Sequence, residues 1–137
     1  MLFCETKLKV SDNSGAIYVK CLKVPGTSKP RCANIGDTVV VTTRVVKRKT
    51  KIKEINRVLK GKVYKAIIVR TKKPKFNRDG SFIQFFENSA VLIKKNQPRT
   101  FGGPKLAGSR VLGPIIFDRK LKKRYPKLYS LAPVVLL

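Results

Sequence analysis

Short apolar runs, each closed by a turn signal, set the pattern of the chain. Lys7–Val10 alternates polar and apolar residues and runs into Asp12-Asn13-Ser14-Gly15. Ile17–Val24 ends at Pro25-Gly26, and Thr38–Val46 follows Asn34-Ile35-Gly36-Asp37. Val63–Arg70 reads Val-Tyr-Lys-Ala-Ile-Ile-Val-Arg, rich in β-branched residues. Ser81–Phe86 follows Arg78-Asp79-Gly80, and Ala90–Ile93 follows Glu87-Asn88-Ser89. Regularly spaced short strands with Gly, Asn and Asp turns predict an antiparallel barrel or sandwich. In so small a chain, closure into a barrel also removes exposed edges. There is no internal repeat.

The pattern changes after Gly113-Pro114. Asp118 is placed to cap a helix beginning at Arg119, because its carboxylate accepts from free N–H groups of the first turn. Leu121 and Tyr125, four apart, share a face, and Pro126 stops or restarts the helix. Lys127–Leu131 forms a second short turn. Two stretches resist the strand reading. Lys47–Lys62 is strongly basic, and Lys94–Arg110 is rich in Pro and Gly. Both read as excursions from the barrel. No apolar run is long enough to cross a bilayer; the longest are Ala66–Val69 and Leu131–Leu137. Lys7 and Lys9 interrupt any leader at the start, so an import signal would be internal, or the protein is made where it works.

Composition narrows the chemistry. The 137 residues include 32 Lys or Arg, 7 Asp or Glu and no His, for a net charge of +25. An apolar content of 42% is too high for a disordered basic tail. Without His there is no Ser-His-Asp or Cys-His nucleophile and no histidine metal ligand. The sparse acids show no local pairing, which argues against a metal-dependent nuclease. Cys4, Cys21 and Cys32 form neither a CxxC nor an even set, so they read as buried reduced thiols in a reducing compartment, not as a disulfide framework or metal site.

So much positive charge on one small domain repels itself and calls for a polyanion. Neutralising phosphates releases counterions and supplies sequence-independent affinity, which puts nucleic acid ahead of an anionic membrane or an acidic protein. Of the 32 basic residues, 21 fall in residues 44–65, 70–78 and 119–127. A membrane-surface role would want a longer amphipathic basic helix than Arg119–Lys127, which Pro126 interrupts. Aromatic residues are sparse, and Phe82, Phe85 and Phe86 are their one cluster, read here as barrel core rather than a base-stacking platform. Gly102-Gly103-Pro104-Lys105 lacks P-loop spacing and is read as a loop. The pattern fits shape-and-phosphate binding of folded RNA by loops and excursions.

The segment Val10-Ser11-Asp12-Asn13-Ser14-Gly15-Ala16 resembles the universal L-fourteen family of large-subunit ribosomal proteins in its bacterial and organellar form. Co-linear matches follow at Cys21-Leu22-Lys23-Val24, Ile35-Gly36-Asp37 and Lys65–Lys73. They continue at Asp79-Gly80-Ser81, Glu87–Ile93, Leu112-Gly113-Pro114 and Ser130-Leu131-Ala132-Pro133. The resemblance implies one domain over 1–137: a small closed five-stranded antiparallel β-barrel with a projecting basic hairpin and short C-terminal helices. The excursion spans about 47–62, a loop insertion about 97–108 and the helical segment about 118–131. It implies no catalytic activity, metal or cofactor. The implied partners are large-subunit rRNA, neighbouring ribosomal proteins, small-subunit rRNA at intersubunit bridges and a ribosome silencing factor, with no membrane.

Carried over residue by residue, Lys23, Lys29 and Arg31 match the family's basic first loop. Lys60, Lys62, Arg70, Lys72, Lys73 and Arg78 match its projecting hairpin and the strand after it. Ser109, Arg110, Lys127 and Ser130 match the silencing-factor docking patch, with Ser109 standing where the family has Thr. Asn13 and Gly15 either support a tight turn or touch RNA. The 47–62 and 97–108 stretches are longer than in the family, and such loop insertions are tolerated thermodynamically. The first suggests extra rRNA contacts through Lys47, Arg48, Lys49, Lys51 and Lys53; the second suits a lineage-specific protein. A free nucleic-acid chaperone is the rival reading. High charge and the two insertions point to a mitochondrial ribosome in the matrix, with a bacterial cytoplasm or a plastid as the alternative.

Overall fold

Val63–Arg70 and Ser89–Ile93 are nearly continuous apolar runs, and a strand of that kind needs cover on both faces. The computed structural model supplies that cover. It describes residues 2–26, 32–47, 58–77, 79–94 and 104–136. In order, the elements are β1 (Lys7–Val10), β2 (Ala16–Lys23), β3 (Thr38–Val46), β4 (Val63–Arg70), β5 (Lys75–Phe76), β6 (Phe82–Ile83) and β7 (Ser89–Ile93). Then come β8 (Ile115–Ile116), α1 (Arg119–Arg124), α2 (Pro126–Ser130) and β9 (Val135–Leu136).

Strands β1-β2-β3-β4-β7 close into a barrel. Four of its contacts are antiparallel, but β1 closes on β7 in parallel, with Lys9 opposite Ser89 and Val10 opposite Ala90. The barrel is therefore mixed, where the sequence suggested a purely antiparallel one. Parity explains this: with five strands, one contact cannot alternate in direction. Register shifts between β2 and β3, at Ala16/Tyr18, Tyr18/Val19 and Cys21/Lys23, bend the wall in the way a narrow barrel requires.

Alternation sorts the side chains into two cores. Leu8, Val19, Val39, Val41, Ile68 and Leu92 fill the barrel, with Leu2, Ala33 and Val58 packed into the same cluster. Ile67, Val69, Val91 and Ile93 point outward from β4 and β7 into a second core. There they meet Leu106, Val111, Ile115, Leu121, Tyr125 and Leu128 of the C-terminal segment. Asp118 opens α1 as its sequence position suggests, accepting from the Leu121 amide at 3.4 Å. The Tyr125 and Thr38 hydroxyls share a hydrogen bond at 2.8 Å, tying the end of α1 to the start of β3.

Two expectations are corrected. Ser81–Phe86 is not a barrel strand: only Phe82–Ile83 is extended, and it pairs with Lys75–Phe76 in a separate two-stranded hairpin. Phe82 and Phe86 are accordingly exposed and Phe85 is half-buried, so this cluster is not core. Among the cysteines, Cys21 is buried, Cys32 is half-buried and Cys4 is exposed, so the buried-thiol reading holds for Cys21 alone.

A polar clasp joins the C-terminal segment to the barrel. Arg70 is buried at the end of β4. It donates to the carbonyls of Leu112 at 2.9 Å and Pro114 at 3.2 Å, to the Ser11 hydroxyl, and to the Glu87 carboxylate at 2.9 Å. Gly113 lies between the two carbonyls at φ 81°, and a Cβ there would stand 2.6 Å from Arg70 Nη1. Only glycine allows both the turn and the close approach. Glu87 also accepts from Lys9 at 2.9 Å. That bond and the Arg70 charge outweigh partial burial and hold its carboxyl below the ordinary 4.5. Asp12 lies buried on the other side. Its carboxylate accepts from the Ser14 amide at 2.8 Å and the Leu92 amide at 2.8 Å. Burial nonetheless raises its pKa above the ordinary 3.8.

Two outcomes follow. Arg70→Met strands two carbonyls and half of Glu87's pairing, and should cost about 2–3 kcal/mol in urea unfolding. Amide exchange should quicken first at Val111 and Ile115. The lowered pKa of Glu87 gives stability that is full above about pH 4.5 and is lost as pH falls through the folded value. Glu87→Gln should therefore flatten the acid limb of a pH–stability curve below pH 4.5 while leaving its shape at neutral pH unchanged.

Candidate nucleic-acid interface

Strand register divides the basic residues between the two rims of the barrel and its outer wall. At one rim, β3 ends and β4 begins. Lys47 follows β3, its amide donating to the Gly15 carbonyl at 2.8 Å. Lys60 and Lys62 flank Gly61, whose amide donates to the Thr43 carbonyl at 2.9 Å as the chain re-enters β4. All three lysines are exposed. At the other rim, Lys23 ends β2 opposite Val40, and Lys72 and Lys73 follow β4 into the β5–β6 hairpin. These are exposed too. Lys29, Arg31, Arg48, Lys49, Lys51, Lys53 and Arg78 lie outside the described residues.

Among the described residues expected to bind RNA, Arg70 is the exception. Its guanidinium is enclosed by the clasp, and it holds Leu112-Gly113-Pro114 against the barrel. A charged residue at a strand end looks the same in sequence whether it faces solvent or a pair of carbonyls.

The wall between the rims adds residues that loop-based reasoning missed. Lys7, Lys9, Arg44 and Lys65 stand exposed on β1, β3 and β4. The Lys7 ammonium sits 4.3 Å from the centre of the Tyr18 ring. The signal was present in the alternation Lys7-Leu8-Lys9-Val10, which puts both lysines on the outer face.

Acidic groups do little to offset this field. Among the described residues, Glu5 pairs with Lys20, Glu87 with Lys9 and Arg70, and Asp118 faces Lys75 at 3.8 Å. Asp37 accepts from the Asn34 amide, Asp79 from Ser81, and Asp12 is buried. The described residues hold no group of three or more His, Cys, Asp or Glu side chains able to ligate a metal. Exposed, point-like ammonium groups on a rigid barrel suit phosphate oxygens, which need charge and position but no base-specific donor pattern.

The four residues expected in a protein-docking patch are brought to one end of the molecule. Asn13 Oδ1 accepts from the amides of Ser109 at 2.8 Å and Arg110 at 3.1 Å, and Asn13 Nδ2 donates to the Ser109 hydroxyl at 2.8 Å. Asn13 is thus a turn support for the 108–110 segment. Gly108 is required there, since a Cβ would fall 2.7 Å from Asn13 Oδ1. One residue on, the Val111 amide donates to the Leu131 carbonyl at 3.4 Å, which sets Ser109 and Arg110 beside the end of α2. Lys127 and Ser130 are exposed on that helix, with the Ser130 hydroxyl donating to the Lys127 carbonyl at 3.0 Å.

The sequence model of one family, ribosomal protein L14p/L23e, matches residues 1–136. That match covers the barrel, the hairpin and the C-terminal cover together. The chain therefore belongs to the L14p/L23e family and is a structural ribosomal protein of the large subunit.

Proposed function

We propose that this barrel binds large-subunit rRNA through the phosphates that meet its two basic rims, in the mitochondrial ribosome of the matrix. The observation that carries the reading is the excess of exposed positive charge: Lys23, Lys47, Lys60, Lys62 and Lys72 are exposed at the rims, while among the described acids Glu5, Glu87 and Asp118 face cations, Asp12 is buried, and Asp37 and Asp79 are held in local turns. Lys47, Lys60 and Lys62 serve one rim, and Lys23, Lys72 and Lys73 serve the other. Lys29, Arg31, Arg48, Lys49, Lys51, Lys53 and Arg78 are further phosphate ligands in this reading. Arg70 supports the site from inside. A partner rich in phosphate relieves the self-repulsion of a +25 domain, so assembly stabilises the protein as well as the RNA.

The surface formed by Ser109, Arg110, Lys127 and Ser130 serves protein docking, with a ribosome silencing factor as its occupant when the subunits are apart. Other surfaces meet neighbouring large-subunit proteins and small-subunit rRNA at intersubunit bridges. The matrix location rests on the high charge and the two insertions at about 47–62 and 97–108.

Salt dependence tests the rRNA reading. Lys60→Gln with Lys62→Gln should lower the slope of log K against log salt by about two, and deletion of 47–53 by more, since each lost phosphate contact removes roughly one. An unchanged slope in both would refute the assignment. Sedimentation of a tagged copy should place it in the large-subunit peak of the mitochondrial fraction after a high-salt wash. Release to the top of the gradient at moderate salt would make it a loosely bound accessory protein instead.

A further inference from the structure

The β5–β6 hairpin and the segment that follows it carry three phenylalanines that the fold does not use. Phe76 is 68% exposed, Phe82 59% and Phe86 100%. Phe76 and Phe82 face each other across the hairpin, with ring centres 5.8 Å apart and planes tilted by 48°. Neither joins the barrel core or the C-terminal core. Alternation puts the Lys75–Ile83 pair on one face of the hairpin, with Lys75 reaching Asp118, and the Phe76–Phe82 pair on the opposite face. Two water-exposed rings in tilted contact, with a third fully bare four residues further along the chain, form an apolar surface in need of a partner.

Charge decides what kind. Lys72 and Lys73 are exposed on the connection from β4 into the hairpin. Three acids lie nearby. Asp118 faces Lys75 on the opposite face of the hairpin. Asp79, at the tip, is folded back on the Ser81 amide and hydroxyl, at 3.0 and 2.7 Å. Glu87, next to Phe86, is held by Lys9 and Arg70. An apolar protein surface laid over these rings would have to strip water from the neighbouring ammonium groups. An unpaired stretch of RNA satisfies both features, since every base offers a π-face and every nucleotide a negative charge.

We propose that Phe76, Phe82 and Phe86 form a stacking surface for unpaired RNA nucleotides, with Lys72 and Lys73 taking the adjoining phosphates. The proposal rests on the rRNA-binding reading and adds to it a contact made through bases. Phenylalanine has no polar atom on its ring, so the surface accepts any base and favours purines for their larger face.

The test uses the full-length protein and an unstructured RNA oligonucleotide carrying 2-aminopurine, whose emission is quenched on stacking. The chain has no Trp to interfere. Wild type should quench the probe. Phe76→Leu with Phe82→Leu keeps the surface apolar but removes the π-faces. It should lose the quench and weaken binding roughly tenfold, with the salt slope unchanged. Phe82→Tyr should retain both. Lys72→Gln should do the reverse of the leucine pair, lowering the slope by about one while the quench persists. Phe86→Leu, at a fully exposed position, serves as a variant whose folding is not in question, and it should reduce the quench in part. Normal salt-dependent binding with equal quenching in the leucine variants would overturn the stacking surface and leave the phosphate reading standing. No binding by wild type to either the oligonucleotide or rRNA would overturn both. Leucine variants that bind RNA normally but fail to enter the large subunit would identify the face as a protein contact and overturn the proposal.

Discussion

Everything in this molecule depends on β4 and β7 being buried on both sides. A five-stranded barrel covers only the inward half of Ile67, Ile68, Val69 and their neighbours on β7. The outward half must be sealed by chain that comes later, and the C-terminal segment does so with Leu106, Val111, Ile115, Leu121, Tyr125 and Leu128. That cover contains only short helices and a two-residue strand pair, elements too small to be stable alone. Arg70 is a buried cross-link between the two layers, reaching from the last residue of β4 to carbonyls on the covering chain.

Such a scaffold separates the two kinds of surface it presents. One side of the barrel is sealed by the cover, while the rest of the wall and both rims carry exposed cations. The rim carrying Lys47, Lys60 and Lys62 is held by backbone hydrogen bonds at Gly15, Thr43 and Gly61, so the lysines there are long side chains on fixed bases. Phosphate groups on folded RNA vary in position by more than hydrogen-bond tolerances, and lysine on a rigid base suits that better than a preformed pocket. The Asn13 turn works differently. It fixes the backbone of Ser109 and Arg110, giving that end of the molecule a shaped surface rather than a merely charged one.

Much of this was legible in the chain. Thr38–Val46 and Val63–Arg70 form strands with those same ends, and the Asp12–Gly15 turn and the break at Pro126 are where their residue types put them. What could not be read was the destination of each strand. Ser81–Phe86 has the apolar content of a barrel strand, yet its nearest partner is the short Lys75–Phe76 stretch, so Phe82 pairs outside the barrel. Periodicity reports which side of a strand is apolar, not whether a core lies opposite. Arg70 escaped for a related reason: its partners, Leu112 and Pro114, are backbone carbonyls far along the chain, and carbonyls leave no mark on the sequence. Asn13 was half legible, because a turn residue that also holds a distant loop is indistinguishable from one that touches a ligand.

The parallel closure of β1 on β7 also orders events in time. β1 leaves the synthesising ribosome well ahead of its second neighbour, Ser89–Ile93, which emerges only after three further barrel strands and the basic excursion. Until then β1 can pair only with β2, and its other edge, like that of β4, stays open. Contacts so distant in sequence also make barrel closure slow relative to local structure. The nascent chain thus passes through an interval in which it is highly cationic, open-edged and uncovered at Ile67 and Val69. An early polyanionic companion would shield it against association with other chains during that interval, tying its survival to the pace at which RNA is supplied for assembly.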